Sequence, residues 1–196
     1  TTAFALVGAS TDEFDYPMGE ANQTTRYAGR GGIPLGSFGR RLLFAWYLRS
    51  RELMVPVHGV ARRELRDTYS APRSGGRAHL ALDIMARKGT RVVSVDEGVI
   101  LRITRNDLGG KVIYVADPTR RFVYYYAHLD EWKYGLVEGQ RVRRGQLLGT
   151  VGTTGNAPAN APHLHFQLMR MGAGGRYWSG EPLNPIPYLR RTGRER

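Results

Sequence analysis

The 196-residue sequence contains no cysteine. That excludes disulfides and thiolate metal sites, so any metal would have to be held by nitrogen and oxygen. Lysine is nearly absent: Lys88, Lys111 and Lys133 are the only ones, and the remaining basic residues are arginine. No apolar run approaches the ~20 residues of a membrane-spanning helix. No signal peptide is visible at Thr1, as expected of a mature or trimmed chain. Acidic side chains number 17 against 29 Lys and Arg, for a net charge of +12. Such a balance favours a polyanionic partner. Nucleic acid is the usual one, but the sequence has no nucleic-acid-binding motif. The preference for arginine also fits GC-rich coding.

The composition is otherwise that of a globular chain. A hydrophobic fraction of 41% is enough for a packed core, and the length suits one domain with a sizeable extension. Twenty-five glycines and 10% aromatics suit a turn-rich β protein.

Four of the five histidines lie in three short stretches: Ala78-His79-Leu80-Ala81-Leu82-Asp83-Ile84, Tyr126-Ala127-His128-Leu129 and Pro162-His163-Leu164-His165-Phe166-Gln167. Side chains two or four apart share a face of a strand. His163 and His165 should therefore point the same way, and so should His79 and Asp83. A helix would also suit a spacing of four. The β-branched, glycine-broken runs that follow, from Gly89 to Val95 and from Gly98 to Ile103, favour strands. Imidazoles with a carboxylate are the ligand types of hydrolytic zinc, which takes three protein ligands and keeps a fourth position for water.

These stretches resemble the lysostaphin-type (LytM-like) zinc metallopeptidases of bacterial cell walls, with their His-x-x-x-Asp, lone His and His-x-His pattern. The similarity extends to Gly76-Arg77-Ala78-His79, Lys88-Gly89-Thr90, Gly98-Val99, Gly145-Gln146, Gly149-Thr150-Val151-Gly152 and Thr154-Gly155. It covers residues 54–189, about two thirds of the chain. Ala81 departs from the glycine of many members, a small change that should not cost the metal. The resemblance implies that His79, Asp83 and His165 bind Zn2+ and that His128 and His163 are unligated catalytic histidines. It implies an all-β catalytic domain, an antiparallel sheet folded into an open barrel-like groove of the duplicated hybrid motif type. The implied activity is hydrolysis of peptide cross-links or stem peptides of peptidoglycan by a monomer, periplasmic or secreted. The cleaved bond stays open between glycine bridges and D-Ala–diaminopimelate cross-links; residues 67–83 lean towards the latter, looking most like Gram-negative members. Anionic envelope polymers or lipids would satisfy the positive charge, and no nucleic acid is expected. The alternative is a non-enzymatic regulator of other cell-wall hydrolases, a role of members that have lost ligands; all five residues are retained here. A plain envelope-binding module is a further alternative, resting on charge alone.

Residues 1–53 fall outside the resemblance. Asp12, Glu13, Asp15 and Glu20 make an acidic stretch, and glycines from Gly29 to Gly36 read as a flexible joint. Ser37 is placed to cap a helix over about 37–53, with Leu42, Leu43, Trp46, Tyr47 and Leu53 as an apolar stripe among arginines. The expectation is that this helix packs on the catalytic domain, the alternative being a membrane surface. The acidic stretch either blocks the groove or only covers and tethers; the second is preferred. His58 is expected to be structural or on the rim, and Arg73 to be a solvated loop residue unless it meets a peptide carboxylate. Strands are expected at about 81–85, 91–95, 98–106, 111–117 and 121–128. Turns at Leu108-Gly109-Gly110 and Asp117-Pro118-Thr119 pair neighbours as a meander. Alternation places Phe122, Tyr124, Tyr126 and His128 on one face, as core or cleft lining. Residues 137–149 are similar to a biotinyl/lipoyl hairpin, but no lysine follows Lys133, so a carrier role fails. The small-residue loop 153–162 should wall the cleft. Residues 190–196 form a basic tail.

Overall fold

The computed structural model describes residues 37–189 apart from 74, 75 and 77. The acidic stretch, the glycine-rich joint and the basic tail lie outside the described residues. Among the described residues one α-helix, α1 (Ser37–Arg51), precedes nine strands: β1 (Leu82–Met85), β2 (Arg91–Val93), β3 (Gly98–Asn106), β4 (Gly110–Ala116), β5 (Phe122–Trp132), β6 (Arg141–Val142), β7 (Leu147–Val151), β8 (His163–Arg170) and β9 (Glu181–Leu183). The sheet is antiparallel and open, in the order β1-β8-β5-β4-β3-β6, while β7 pairs with β2 and β5 and β9 pairs with β8. The two expected turns join β3 to β4 and β4 to β5, which pair antiparallel. The second turn is tied by one carboxylate: Asp117 accepts from the Thr119, Arg121 and Phe122 amides and from the Thr119 hydroxyl.

Alternation divides the central strands cleanly. Leu164, Phe166 and Leu168 of β8, with Phe122, Tyr124 and Tyr126 of β5, are fully buried in the core beside Ile84, Ile100, Ile113 and Leu148. Each such side chain contributes roughly 1.5–3 kcal/mol on burial. The opposite face carries His163, His165 and Gln167 on β8 and Tyr125 and Ala127 on β5, with His165 paired to Ala127 and Gln167 to Tyr125.

Two expectations about strand faces need correction. His79 does not share a strand with Asp83. Leu80 adopts φ 57°, in the left-handed region that branched side chains rarely enter, and β1 begins only at Leu82. His79 instead sits in a short ladder with the preceding turn, its amide donating to the Ala71 carbonyl at 2.9 Å. Nor does His128 share a face with Tyr124 and Tyr126. Ile113 pairs with Tyr126 but Lys111 pairs with Leu129, so β5 carries one extra residue as a bulge. His128, with φ 58°, leaves the core face there.

The helix is held from one side. Leu48 is buried, Tyr47 stacks on Phe122 at 5.8 Å, and the Tyr47 hydroxyl donates to Asp117 at 2.7 Å. Leu42, Leu43 and Trp46 face outward. Its C-terminal Arg51 binds the fully buried Asp96 through Nε at 2.7 Å, and Arg144 binds the same carboxylate at 2.8 Å. Burial opposes ionisation of Asp96, but the hydrogen bonds from Arg51 and Arg144 outweigh it and hold its pKa below the usual carboxylate range. A depressed carboxyl pKa contributes stability that is complete above the unfolded value near ~4 and is lost as pH falls below it. Asp96→Asn is therefore expected to destabilise the fold by about 2–3 kcal/mol at pH 7, less than a fully buried pair because Arg144 is partly solvated. Denaturant titrations at several pH values should also show a shallower loss of stability below about pH 4 in the variant than in the wild type.

Candidate metal centre

Three donor atoms from three segments converge. His79 Nε2 lies 3.0 Å from Asp83 Oδ1 and 3.0 Å from His165 Nδ1, and His165 Nδ1 lies 3.1 Å from Asp83 Oδ1. Asp83 comes from β1 and His165 from β8, and the two residues are directly paired across the strands. His79 comes from the ladder before β1. In a tetrahedral zinc site with ligands at ~2.0–2.1 Å, donor atoms are about 3.3 Å apart. A triangle of 3.0–3.1 Å fits that demand, and its two nitrogens and one carboxylate oxygen are zinc's preferred donors in the absence of cysteine.

The surroundings select the atoms. His79 Nδ1 donates to the Thr68 carbonyl at 3.0 Å, which keeps the hydrogen off Nε2 and leaves that lone pair in the triangle. Thr68 also accepts the Asp83 amide on its hydroxyl at 2.9 Å, and that hydroxyl donates to the Ala81 carbonyl. One threonine thus orients two of the three donor residues. Burial disfavours the Asp83 carboxylate, but the close contacts with the His165 and His79 rings more than offset it and hold the group far below its ordinary range. Burial pushes His165 down, partly opposed by its bond to Asp83.

The other two histidines stand beside the triangle. The His128 ring is 5.7 Å from that of His165 and 4.9 Å from that of His163. His163 Nε2 is 3.8 Å from Asp83 Oδ1. Both donate Nδ1–H to carbonyls of the small-residue loop after β7, His128 to Thr154 and His163 to Ala161, each at 2.8 Å. That leaves Nε2 of each ring free to accept a proton. Burial pushes His128 down to about 4 against the upward pull of Thr154, so it is neutral at pH 7. The loop reaches His128 because Gly155, at φ 73°, presses on the backbone of Gly110, where any Cβ would collide.

All five residues singled out in the sequence therefore lie in one cluster. His58 is exposed on a turn, its amide donating to the Arg91 carbonyl. Arg73 is not a free loop residue, since its Nη2 binds Asp83 Oδ2. Thr68, and the carbonyls of Thr154 and Ala161, escaped the sequence reading. Main-chain acceptors carry no residue-type signal, and a threonine eleven positions before His79 is marked only by the fold.

The family model for Peptidase family M23 matches residues 77–185, more than half of the chain. The chain is 34% identical over 132 residues to the L-Ala–D-Glu endopeptidase of Bacillus subtilis, covering 64% of this chain and 39% of that protein. It is 31% identical over 126 residues to the glycyl-glycine endopeptidase ALE-1 of Staphylococcus capitis, covering 64% and 32%. The chain thus spans well under half the length of these curated relatives. Among solved structures, the catalytic domain of lysostaphin from Staphylococcus simulans matches with a TM-score of 0.51 at 25% identity, covering 74% of this chain and 96% of that one. A second model, an uncharacterised protein family (UPF0182), matches residues 1–58. There the chain is 44% identical over 52 residues to a UPF0182 protein of Cupriavidus necator, covering 26% of this chain but 6% of that protein.

The Thr68 contacts are open to a direct test. Thr68→Val keeps the carbonyl that binds His79 but removes the acceptor of the Asp83 amide. A loss of about 1–2 kcal/mol in urea unfolding is expected, the cost of a partly buried donor left unpaired.

Proposed function

This chain belongs to peptidase family M23, and from that premise we propose that it is a zinc-dependent endopeptidase that hydrolyses peptide cross-links or stem peptides of bacterial peptidoglycan. The observation that carries the reading is the triangle of His79, Asp83 and His165 donors 3.0–3.1 Å apart, flanked by His128 and His163, each held through Nδ1 by a main-chain carbonyl. His79 Nε2, Asp83 Oδ1 and His165 Nδ1 would hold the ion. Zinc, when bound, supplies Lewis acidity for the scissile carbonyl and lowers the pKa of water towards ~7.

The remaining work falls to this chain's side chains. His128 and His163 are anchored through Nδ1, so neither needs reorientation before its Nε2 accepts a proton from the attacking water. The attacking water gives up one proton, and the ring that takes it then places positive charge beside the developing oxyanion, where partial burial strengthens the interaction. Tyr125, 6.1 Å from the His165 ring, and Gln167 line the neighbouring face. Gln167 is itself held by the Leu80 carbonyl at 3.1 Å, which keeps it in place. The action is placed in the cell envelope, periplasmic or secreted, in keeping with wall-directed relatives. Residues 1–53 are proposed as an extension, 54–189 as the catalytic domain and 190–196 as a tail.

Two sets of variants separate the roles. His79→Ala, Asp83→Ala and His165→Ala should each abolish stoichiometric zinc by metal analysis, because each removes one of three protein ligands. His128→Ala and His163→Ala should retain zinc and fold but lose turnover by about 10²–10⁴-fold. The function itself is read by incubating the zinc-loaded protein with isolated sacculi and identifying released muropeptides by mass spectrometry. Release that stops on chelation and returns with zinc is the expected result. Absence of any released peptide would overturn the reading in favour of a binding role.

A further inference from the structure

We propose that Arg73 reads a free carboxylate on the substrate, placed within one residue of the scissile bond. The inference rests on the peptidase reading above and narrows it to a substrate class. Asp83 divides its two oxygens. Oδ1 faces the imidazoles of His79, His165 and His163, and Oδ2 takes the Arg73 guanidinium. Arg73 is therefore one carboxylate away from the triangle.

Bracing Asp83 uses one of five guanidinium donors. Among the described residues Arg73 has no other partner, and 46% of its side chain is exposed. Its position is nevertheless built. The turn that carries it forms a short ladder with the segment carrying His79: His79 N to Ala71 O at 2.9 Å, Leu80 N to Tyr69 O at 2.8 Å, and a bridge between Pro72 and Ala78. The chain leading into Arg73, up to Pro72, is thus registered to the segment of a proposed ligand.

Charge supports an anionic partner. A divalent ion beside a single carboxylate leaves the triangle positive, and the guanidinium adds to it. Asp83 is the only carboxylate within salt-bridge distance of these histidines or of Arg73 among the described residues. The planar fork of arginine matches a carboxylate through two parallel N–H···O bonds, which neither an amide nor a peptide carbonyl can reproduce. Cross-links or stems whose residue next to the cut bears a free carboxylate are favoured over uncharged bridges such as oligoglycine.

Two synthetic peptides carrying the bond released from sacculi, identical except for a carboxylate or a carboxamide on the adjoining residue, test this. Zinc-loaded wild type should show a kcat/KM about tenfold or more higher for the carboxylate peptide, a modest ratio because Arg73 is half exposed. In Arg73→Gln, with rates normalised to bound zinc, the ratio should fall to about one, and Arg73→Lys should lie between. Calorimetric binding of the two peptides to metal-free protein gives a reading independent of turnover. The carboxylate peptide should bind more tightly to the wild type, and the two equally to Arg73→Gln. Equal cleavage and binding of both peptides by the wild type, or a preference that survives in Arg73→Gln, would overturn the role of Arg73 and leave the peptidase reading standing. Absence of muropeptide release from sacculi would overturn the peptidase reading and the role of Arg73 with it.

Discussion

The register between β1, β8 and β5 is the constraint on which the site depends. Asp83 pairs with His165, and His165 pairs with Ala127, one residue before His128. Because side chains alternate, this pairing puts His163, His165 and Asp83 on one face, while Leu164, Phe166 and Leu168 form the core on the other. A slip of one residue would bury the imidazoles among Phe122 and Tyr126 and expose the aromatics. The hydrophobic face thus enforces the polar one, and the core supplies the precision that a small charged cluster could not supply for itself.

Two departures from regular strand complete the cluster. Leu80 and His128 both occupy the left-handed region, and each lies within one residue of, or is, a member of the site. At Leu80 the twist turns His79 back over Asp83. At His128 a bulge lifts the imidazole off the core face, and the Thr154 carbonyl takes its Nδ1–H. Such conformations cost of order 1–3 kcal/mol each and persist only where surrounding structure outweighs them. Here the paired neighbours, the Ala71 and Gly109 carbonyls and the packing of Gly155 on Gly110 do so.

The two family matches meet within a single core. Residues 1–58 are similar to a different family from residues 77–185. Yet Leu48, Leu53 and Val57 are buried with Val92, Val95 and Phe122. Arg51 completes the coordination of buried Asp96, and Tyr47 that of Asp117. Both carboxylates are fully buried, and these two helix partners lie 45 and 70 positions away in the sequence. The helix therefore serves the sheet as a charge-bearing cover on one side and presents Leu42, Leu43 and Trp46 on the other.

The open antiparallel sheet and the roles of the five site residues were implied by the resemblance to lysostaphin-type peptidases, whereas the sequence by itself determined the strand and helix segments, the hairpin turns and the shared face of His163 and His165. Those features are local: alternation, β-branched runs and glycine turns survive without knowledge of distant partners. It placed His163 and His165 correctly on one face because nothing interrupts β8. It failed for His79 and His128, where positive φ breaks the alternation and no residue-type signal, such as a glycine, announces it. It left Arg73 as a solvated residue and passed over Thr68, since their roles arise from contacts made only once β1 and its preceding ladder fold together. Tertiary structure decided those matters because hydrogen bonds to main-chain carbonyls and to a carboxylate's second oxygen depend on where the backbone lies, not on which residues are present.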